Sequence, residues 1–167
     1  MNKLLGLGAL LTGAAAAYLI IAPSPIDPVA WEAPPIPLRS GALEPNDTLM
    51  KAELIGKGAV HGPEDTAVDA AGRLYASLHN GQVVRFASDG QPAVFADTQG
   101  RPLGMDFDRQ GNLIVADAYK GLLSINPQGQ IRVLSTTAGG VPFAFTDDLD
   151  IASDGRIYFS DASDKFQ

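Results

Sequence analysis

The feature that most constrains this chain is a glycine-centred repeat with a period near 40 residues. Gly72, Gly111 and Gly155 each lie between two short apolar runs, and they are separated by 39 and 44 residues. Glycine readily adopts the positive φ that a tight hairpin turn requires. Two further turns, at 88–90 and 127–129, keep the same phase, because their glycines are again 39 residues apart.

Each repeat contains short apolar runs that predict four strands. Third strands are predicted at Gln82–Phe86 and Gly121–Ile125, and fourth strands at 93–96 and 130–134. Four strands in about 40 residues are the signature of a β-propeller blade. A β-sandwich with regular hairpins is the alternative, but it does not explain two independent turns in phase. We therefore predict an all-β domain built from β-propeller blades.

The predicted propeller domain covers residues 54–167 and holds about two and a half blades. Propellers have about four to eight blades. An open arc exposes an apolar face and unpaired strand edges. We therefore expect a fragment of a longer protein, inactive by itself.

An apolar segment precedes the repeats. Residues 4–22 carry no charge and follow Lys3, and a helix of this length spans just under the roughly 30 Å of a hydrocarbon core. We predict a transmembrane signal anchor over residues 1–22, with Lys3 cytoplasmic and the propeller on the exported side (periplasm, lumen or extracellular space). A cleaved signal peptide is the alternative. Residues 23–53, which are rich in proline, are predicted to be an extended spacer.

The composition excludes several classes of function. A net charge of −7 leaves no basic footprint for a nucleic acid. The absence of cysteine removes thiolate nucleophiles and Cys-based metal sites. No G-x-S-x-G motif and no phosphate-binding glycine loop is present, which disfavours serine esterases and nucleotide enzymes.

The stretches 61–86, 100–125 and 145–166 resemble the strictosidine synthase-like branch of the gluconolactonase and paraoxonase-type six-bladed propellers. The N-terminal apolar segment is similar to that of the membrane-anchored members. The resemblance implies six blades in the parent protein, of which this chain holds about two and a half.

The resemblance also implies a Ca²⁺ ion at the top of the central channel. One ligand in related propellers is the Glu of a G-x-E element, which Gly62-Pro63-Glu64 matches here. Another is the Asn of an Asn-Asp pair, and this chain has Asp147-Asp148 at that place. Carboxylate and amide oxygens both suit Ca²⁺. The alternative is that Glu64 and Asp147 cap loops by accepting backbone N–H bonds.

Four further residues, His61, Asp65, Arg101 and Asp148, are expected to face the channel or support its loops. A single His beside a loop is more typical of a surface residue than of a general base. Arg101 is expected to support its loop through backbone carbonyls. No catalytic residue can be assigned, because the catalytic Glu of the strictosidine-forming members lies in a late blade.

Our first hypothesis for function is an exported, membrane-anchored hydrolase that acts on small esters or lactones with the help of Ca²⁺. The second is a non-catalytic propeller that binds a small ligand or a protein partner across its channel face. A condensing lyase of the strictosidine synthase type is the least favoured, because no residue of this chain supports it.

Overall fold

The computed structural model describes residues 2–22, 29–36 and 39–162, with side chains from residue 11 onward. The chain divides into two compact units, residues 1–47 and 48–167. In the described part of the first unit are the helix α1 (Asn2–Ile21) and a 3₁₀ turn (Gly41–Leu43). The second unit begins with another 3₁₀ turn (Thr48–Lys51) and contains all the strands described below.

Twelve strands are present in the described part of the chain. They are β1 (Pro63–Val68), β2 (Leu74–Leu78), β3 (Gln82–Phe86), β4 (Pro92–Asp97), β5 (Pro102–Phe107), β6 (Leu113–Asp117), β7 (Gly121–Ile125), β8 (Ile131–Ser135), β9 (Thr137–Ala138), β10 (Val141–Pro142), β11 (Thr146–Ile151) and β12 (Ile157–Asp161).

The strands form three blade-like sheets in chain order. Blade 1 is the antiparallel sheet β1-β2-β3-β4, and blade 2 is the antiparallel sheet β5-β6-β7-β8. Blade 3 consists of the hairpin β11-β12. The predicted third strands match β3 and β7 residue for residue. The all-β prediction is confirmed.

A small hairpin between blades 2 and 3 was not predicted. Strands β9 and β10 pair across Gly139-Gly140, and both glycines have positive φ angles of 58° and 83°. Two positive-φ residues in succession make the kind of turn that matches the twist of the flanking strands. The strands have only two residues each, so no alternating apolar pattern marks them in the sequence.

The core lies where blades 1 and 2 pack face to face. The largest side chains that are fully buried in this core are Leu113, Val115, Leu123, Ile125 and Val83. Tyr75 from blade 1 lies between the rings of Phe95 and Phe107 and meets both edge-on at 5.1 Å between centroids. Such aromatic pairs contribute about 0.5–1.5 kcal/mol beyond their buried area. In blade 2, every residue of β6 and β7 is buried.

The N-terminal prediction is met only in part. A helix, α1, forms where the anchor was predicted. However, none of the helices within 2–22, 29–36 and 39–162 combines the length and apolarity that a membrane crossing requires, so the transmembrane span over residues 1–22 is not supported.

A carboxylate-lined cavity at the inner strands

The first strand of every blade carries an irregularity at the same place. The pairing of β1 with β2 shifts between Pro63 and Thr66, that of β5 with β6 between Pro102 and Met105, and that of β11 with β12 between Thr146 and Leu149. Such bulges bend a strand and re-aim its side chains. The residues within the three bulges are 64–65, 103–104 and 147–148, and they are brought together.

These six residues line one cavity of about 250 Å³. Four of them are acidic: Glu64 and Asp65 come from blade 1, and Asp147 and Asp148 come from blade 3. Blade 2 contributes Leu103 and Gly104, which carry no charge. Glu64 and Asp147, the two predicted metal ligands, therefore line the same cavity.

Glu64 is held by an ion pair. Its Oε1 accepts a hydrogen bond from Nη2 of Arg101 at 3.2 Å, with 34% of the Glu64 side chain and 26% of the Arg101 side chain exposed. This hydrogen bond raises the pKa of Arg101 above its usual value against a smaller opposing effect of desolvation. Arg101 therefore supports Glu64 directly, and within the described residues the hydrogen bond shown for its guanidinium goes to this carboxylate.

Two residues outside the predicted set of site residues lie next to this ion pair. The guanidinium of Arg101 lies over the ring of Phe145, 5.7 Å from its centroid. Nδ1 of His79 lies 4.0 Å from the same Glu64 oxygen. His61, which the sequence had placed beside the site, lines a separate cavity of about 270 Å³ with His79. Only the fold brings Phe145 to Arg101, because 44 residues separate them in the chain.

Asp65 connects blade 1 to blade 2. Its Oδ2 accepts a hydrogen bond from the backbone N–H of Met105 at 2.7 Å, and its Oδ1 accepts one from Thr66 at 2.7 Å. The Asp65 N–H donates to Oγ of Ser77, which in turn donates to the carbonyl oxygen of Leu103 at 2.8 Å. Both carboxylate oxygens are therefore engaged, and Asp65 acts as a link between blades.

Asp148 and Asp147 differ in their contacts. Oδ1 of Asp148 accepts a hydrogen bond from Leu149 at 2.8 Å, and its own N–H donates to Oγ of Ser160. A Cβ on Gly104 would lie 2.7 Å from the Cα of Asp148, so only glycine permits this approach of blade 3 to blade 2. Asp147 is exposed, and its carboxylate makes no hydrogen bond to other described residues.

The carboxylate oxygens at this cavity have the right chemistry for a hard cation such as Ca²⁺. They are fewer than the ligands that the ion needs. Carboxylate oxygens are the ligands that Ca²⁺ prefers, and it takes six to eight of them. Within the described residues no three His, Cys, Asp or Glu side chains lie close enough together to hold a metal ion. Glu64 and Asp147 remain the candidate ligands, because Asp65 is committed to backbone N–H groups on both sides.

Packed four-stranded antiparallel blades whose inner strands converge on one cavity define a β-propeller arc. Solved structures agree. The chain is similar to a gluconolactonase from Xanthomonas campestris, with 26% identity, a TM-score of 0.57, and coverage of 61% of this chain and 35% of that one. It shares the fold of virginiamycin B lyase from Staphylococcus aureus at 14% identity and a TM-score of 0.51, over 59% of this chain and 34% of that one.

Sequence comparisons narrow the class further. Residues 41–86 match the family described as "Strictosidine synthase-like, N-terminal". The adipocyte plasma membrane-associated protein of Rattus norvegicus is 37% identical over 89% of this chain and 44% of its own length. Protein STRICTOSIDINE SYNTHASE-LIKE 4 of Arabidopsis thaliana is 42% identical over 71% of this chain and 34% of its own. The chain belongs to the strictosidine synthase-like family, and it spans less than half the length of these relatives.

Proposed function

We propose that the protein is a hydrolase of small esters or lactones that works with a bound Ca²⁺ ion. The observation that carries this proposal is the convergence of Glu64 and Asp147 on one cavity from the inner strands of blades 1 and 3. Asp148 and Asp65 add negative charge around the same space, and Arg101 supplies the single positive partner described there. This excess of negative charge favours a divalent cation.

A bound Ca²⁺ would supply a Lewis acid that polarises a carbonyl oxygen and stabilises the charge that develops on it. The residues of this chain would hold and orient the ion. Arg101 fixes the Glu64 carboxylate through its hydrogen bond and is itself held against Phe145. The similarity to a gluconolactonase at 26% identity supports a lactone as one of the substrates to test.

The proposal is tested by hydrolysis assays on the protein isolated in its complete natural form, here called the complete protein. We expect turnover of some members of a panel of lactones and aryl esters, loss of that turnover in a chelator, and recovery on adding Ca²⁺. Glu64→Gln keeps the shape of the side chain but weakens an oxygen ligand, so it should reduce turnover by at least about tenfold. Glu44→Gln, on an exposed residue outside the cavity, is the matched control. Turnover that survives both the chelator and Glu64→Gln would overturn the proposal.

One observation favours a second candidate, a propeller that binds a ligand without turnover. Glu64 is already neutralised by Arg101, and the Arg101 guanidinium lies on Phe145, whose ring contacts Tyr119 edge-on at 6.5 Å between centroids. A charged group beside aromatic side chains is a common feature of surfaces that bind small molecules. Saturable binding of a lactone or ester that is never hydrolysed would favour this candidate.

We also propose that the protein associates with a membrane and that the propeller lies on the exported side. The rat relative is named for an association with the plasma membrane, which supports this proposal. The N-terminal segment up to Ala22 is the part of the chain we propose to carry the association.

A further inference from the structure

Arg101 contacts two partners of different chemistry. Its Nη2 donates a hydrogen bond of 3.2 Å to Oε1 of Glu64 on blade 1. Its guanidinium also lies over the ring of Phe145, the residue that leads into blade 3, at 5.7 Å from the ring centroid. That ring in turn meets Tyr119 edge-on, with 6.5 Å between centroids. The guanidinium therefore has both an anionic partner and an aromatic partner.

The anionic partner is also a candidate metal ligand. Glu64 and Asp147 line the same cavity from blades 1 and 3, and the charge of the Glu64 carboxylate would favour a cation there. The guanidinium neutralises that charge from 3.2 Å away. A metal ion and the guanidinium are both positive, so they compete for Glu64 and repel each other. Because the affinity of a Ca²⁺ site depends on the charge of its ligands, Arg101 should lower this affinity.

The ion pair between Arg101 and Glu64 can open without leaving a charge buried. The side chain of Glu64 is 34% exposed and that of Arg101 is 26% exposed, so water can solvate each group after they separate. The backbone N–H of Arg101 is held by Oδ1 of Asp117 at 3.0 Å, so the side chain can move while the backbone stays in place. Phe145 keeps a partner for the guanidinium, because a cation is attracted to the face of an aromatic ring.

We infer that Arg101 is an internal counter-ion that regulates the cation affinity of this cavity. Its hydrogen bond fixes the Glu64 carboxylate in the metal-free protein, and the guanidinium shifts from Glu64 onto Phe145 when a cation takes its place. This inference rests on the proposed Ca²⁺ site, and it concerns the affinity of that site rather than hydrolysis. A residue that kept Glu64 in position for the bound metal would give the opposite result when it is removed.

Calorimetric titration of the complete protein with Ca²⁺ tests the inference by the sign of one change. Arg101→Gln removes the competing charge, so it should tighten Ca²⁺ binding by about tenfold. Arg101→Lys keeps the charge and should stay within about threefold of the unaltered protein. Arg109→Gln removes the same charge beyond the other end of β5 and is the matched control, which should bind Ca²⁺ as the unaltered protein does. Equal or weaker binding in Arg101→Gln would overturn the inference.

A double-mutant cycle with Phe145 gives a second readout. Phe145→Leu removes the ring that receives the displaced guanidinium, so it should weaken Ca²⁺ binding by about two- to fivefold. In the Arg101→Gln background the same substitution should have no effect, since the cation that uses the ring is gone. An equal loss in both backgrounds would overturn the inference, because Phe145 would then act on the cavity independently of Arg101.

Neither titration uses an ester or a lactone, so failure of this inference is distinguishable from failure of the proposed activity. Tighter binding in Arg101→Gln, found in a protein that hydrolyses no substrate, would support the inference and overturn the proposed hydrolysis. Unchanged binding in Arg101→Gln, found together with Ca²⁺-dependent hydrolysis, would overturn the inference and leave the proposed hydrolysis standing.

Discussion

Two aspartates, Asp117 and Asp161, occupy the same place at the ends of the second strands of blades 2 and 3. Oδ1 of Asp117 accepts the backbone N–H of Arg101 at 3.0 Å, and Oδ1 of Asp161 accepts that of Phe145 at 2.8 Å. Each carboxylate thus fixes the residue that leads into an inner strand. Arg101 and Phe145, which contact each other, are therefore positioned by the same kind of hydrogen bond.

The two aspartates should contribute unequally to stability. Asp117 is fully buried and also accepts the N–H groups of Tyr119 and Lys120, whereas Asp161 is exposed. We expect Asp117→Ala to lower the free energy of unfolding by about 3 kcal/mol, because buried N–H groups lose their acceptor. Asp161→Ala, where water replaces the carboxylate, should cost about 1 kcal/mol or less. Denaturant unfolding of the chain measures both, and equal losses would contradict this account.

At the scale of the single element, the hairpin turn of blade 1 is organised by Asp69. Its Oδ1 accepts the N–H groups of Ala71 and Arg73, and its Oδ2 accepts Nε of Arg73 at 2.6 Å. Partial desolvation acts to raise the pKa of Asp69, but the hydrogen bonds from Arg73 and Ala71 outweigh it and place the pKa below its usual value of 3.8. The carboxylate form is therefore favoured in the folded hairpin.

This shift predicts an acid-sensitive contribution to stability. Because the folded pKa is below the unfolded one, the contribution is fully present above about pH 5, where both states are ionised, and is lost as the pH falls through the folded pKa. Asp69→Asn should flatten the loss of stability between about pH 5 and pH 2. Arg73→Gln should flatten the same loss of stability to a smaller extent. The double variant should have nearly the same pH dependence of stability as Asp69→Asn. Unfolding curves across this pH range measure the effect, and an unchanged slope in Asp69→Asn would refute it.

The strands and turns of the blades could be predicted because the sequence patterns that specify them are local. A turn glycine such as Gly72, flanked by apolar runs, specifies a hairpin without reference to the rest of the chain. The bulges could not be predicted, because a register shift depends on the partner strand. The pairing of Arg101 with Glu64 joins residues 37 apart in the chain, and no spacing rule connects them. The candidate ligands Glu64 and Asp147 came instead from a family resemblance.

At the scale of the whole molecule, the N-terminal segment is proposed to associate the protein with a membrane. We expect the complete protein to sediment with membranes, and a variant lacking residues 1–22 to be recovered in the soluble fraction. The propeller should be protected from protease added to intact vesicles whose lumen corresponds to the exported side. Recovery of the unaltered protein in the soluble fraction would refute the proposed association.

Calorimetric titration of the complete protein with Ca²⁺ tests whether the inner strands of blades 1 and 3 jointly build a Ca²⁺ site. We expect saturable binding that Glu64→Gln and Asp147→Asn each weaken by about tenfold or more, since each removes charge from an oxygen ligand. Asp154→Asn, on the exposed hairpin turn of blade 3, should leave binding unchanged. Absence of Ca²⁺ binding, or binding that neither Glu64→Gln nor Asp147→Asn weakens, would contradict the claim.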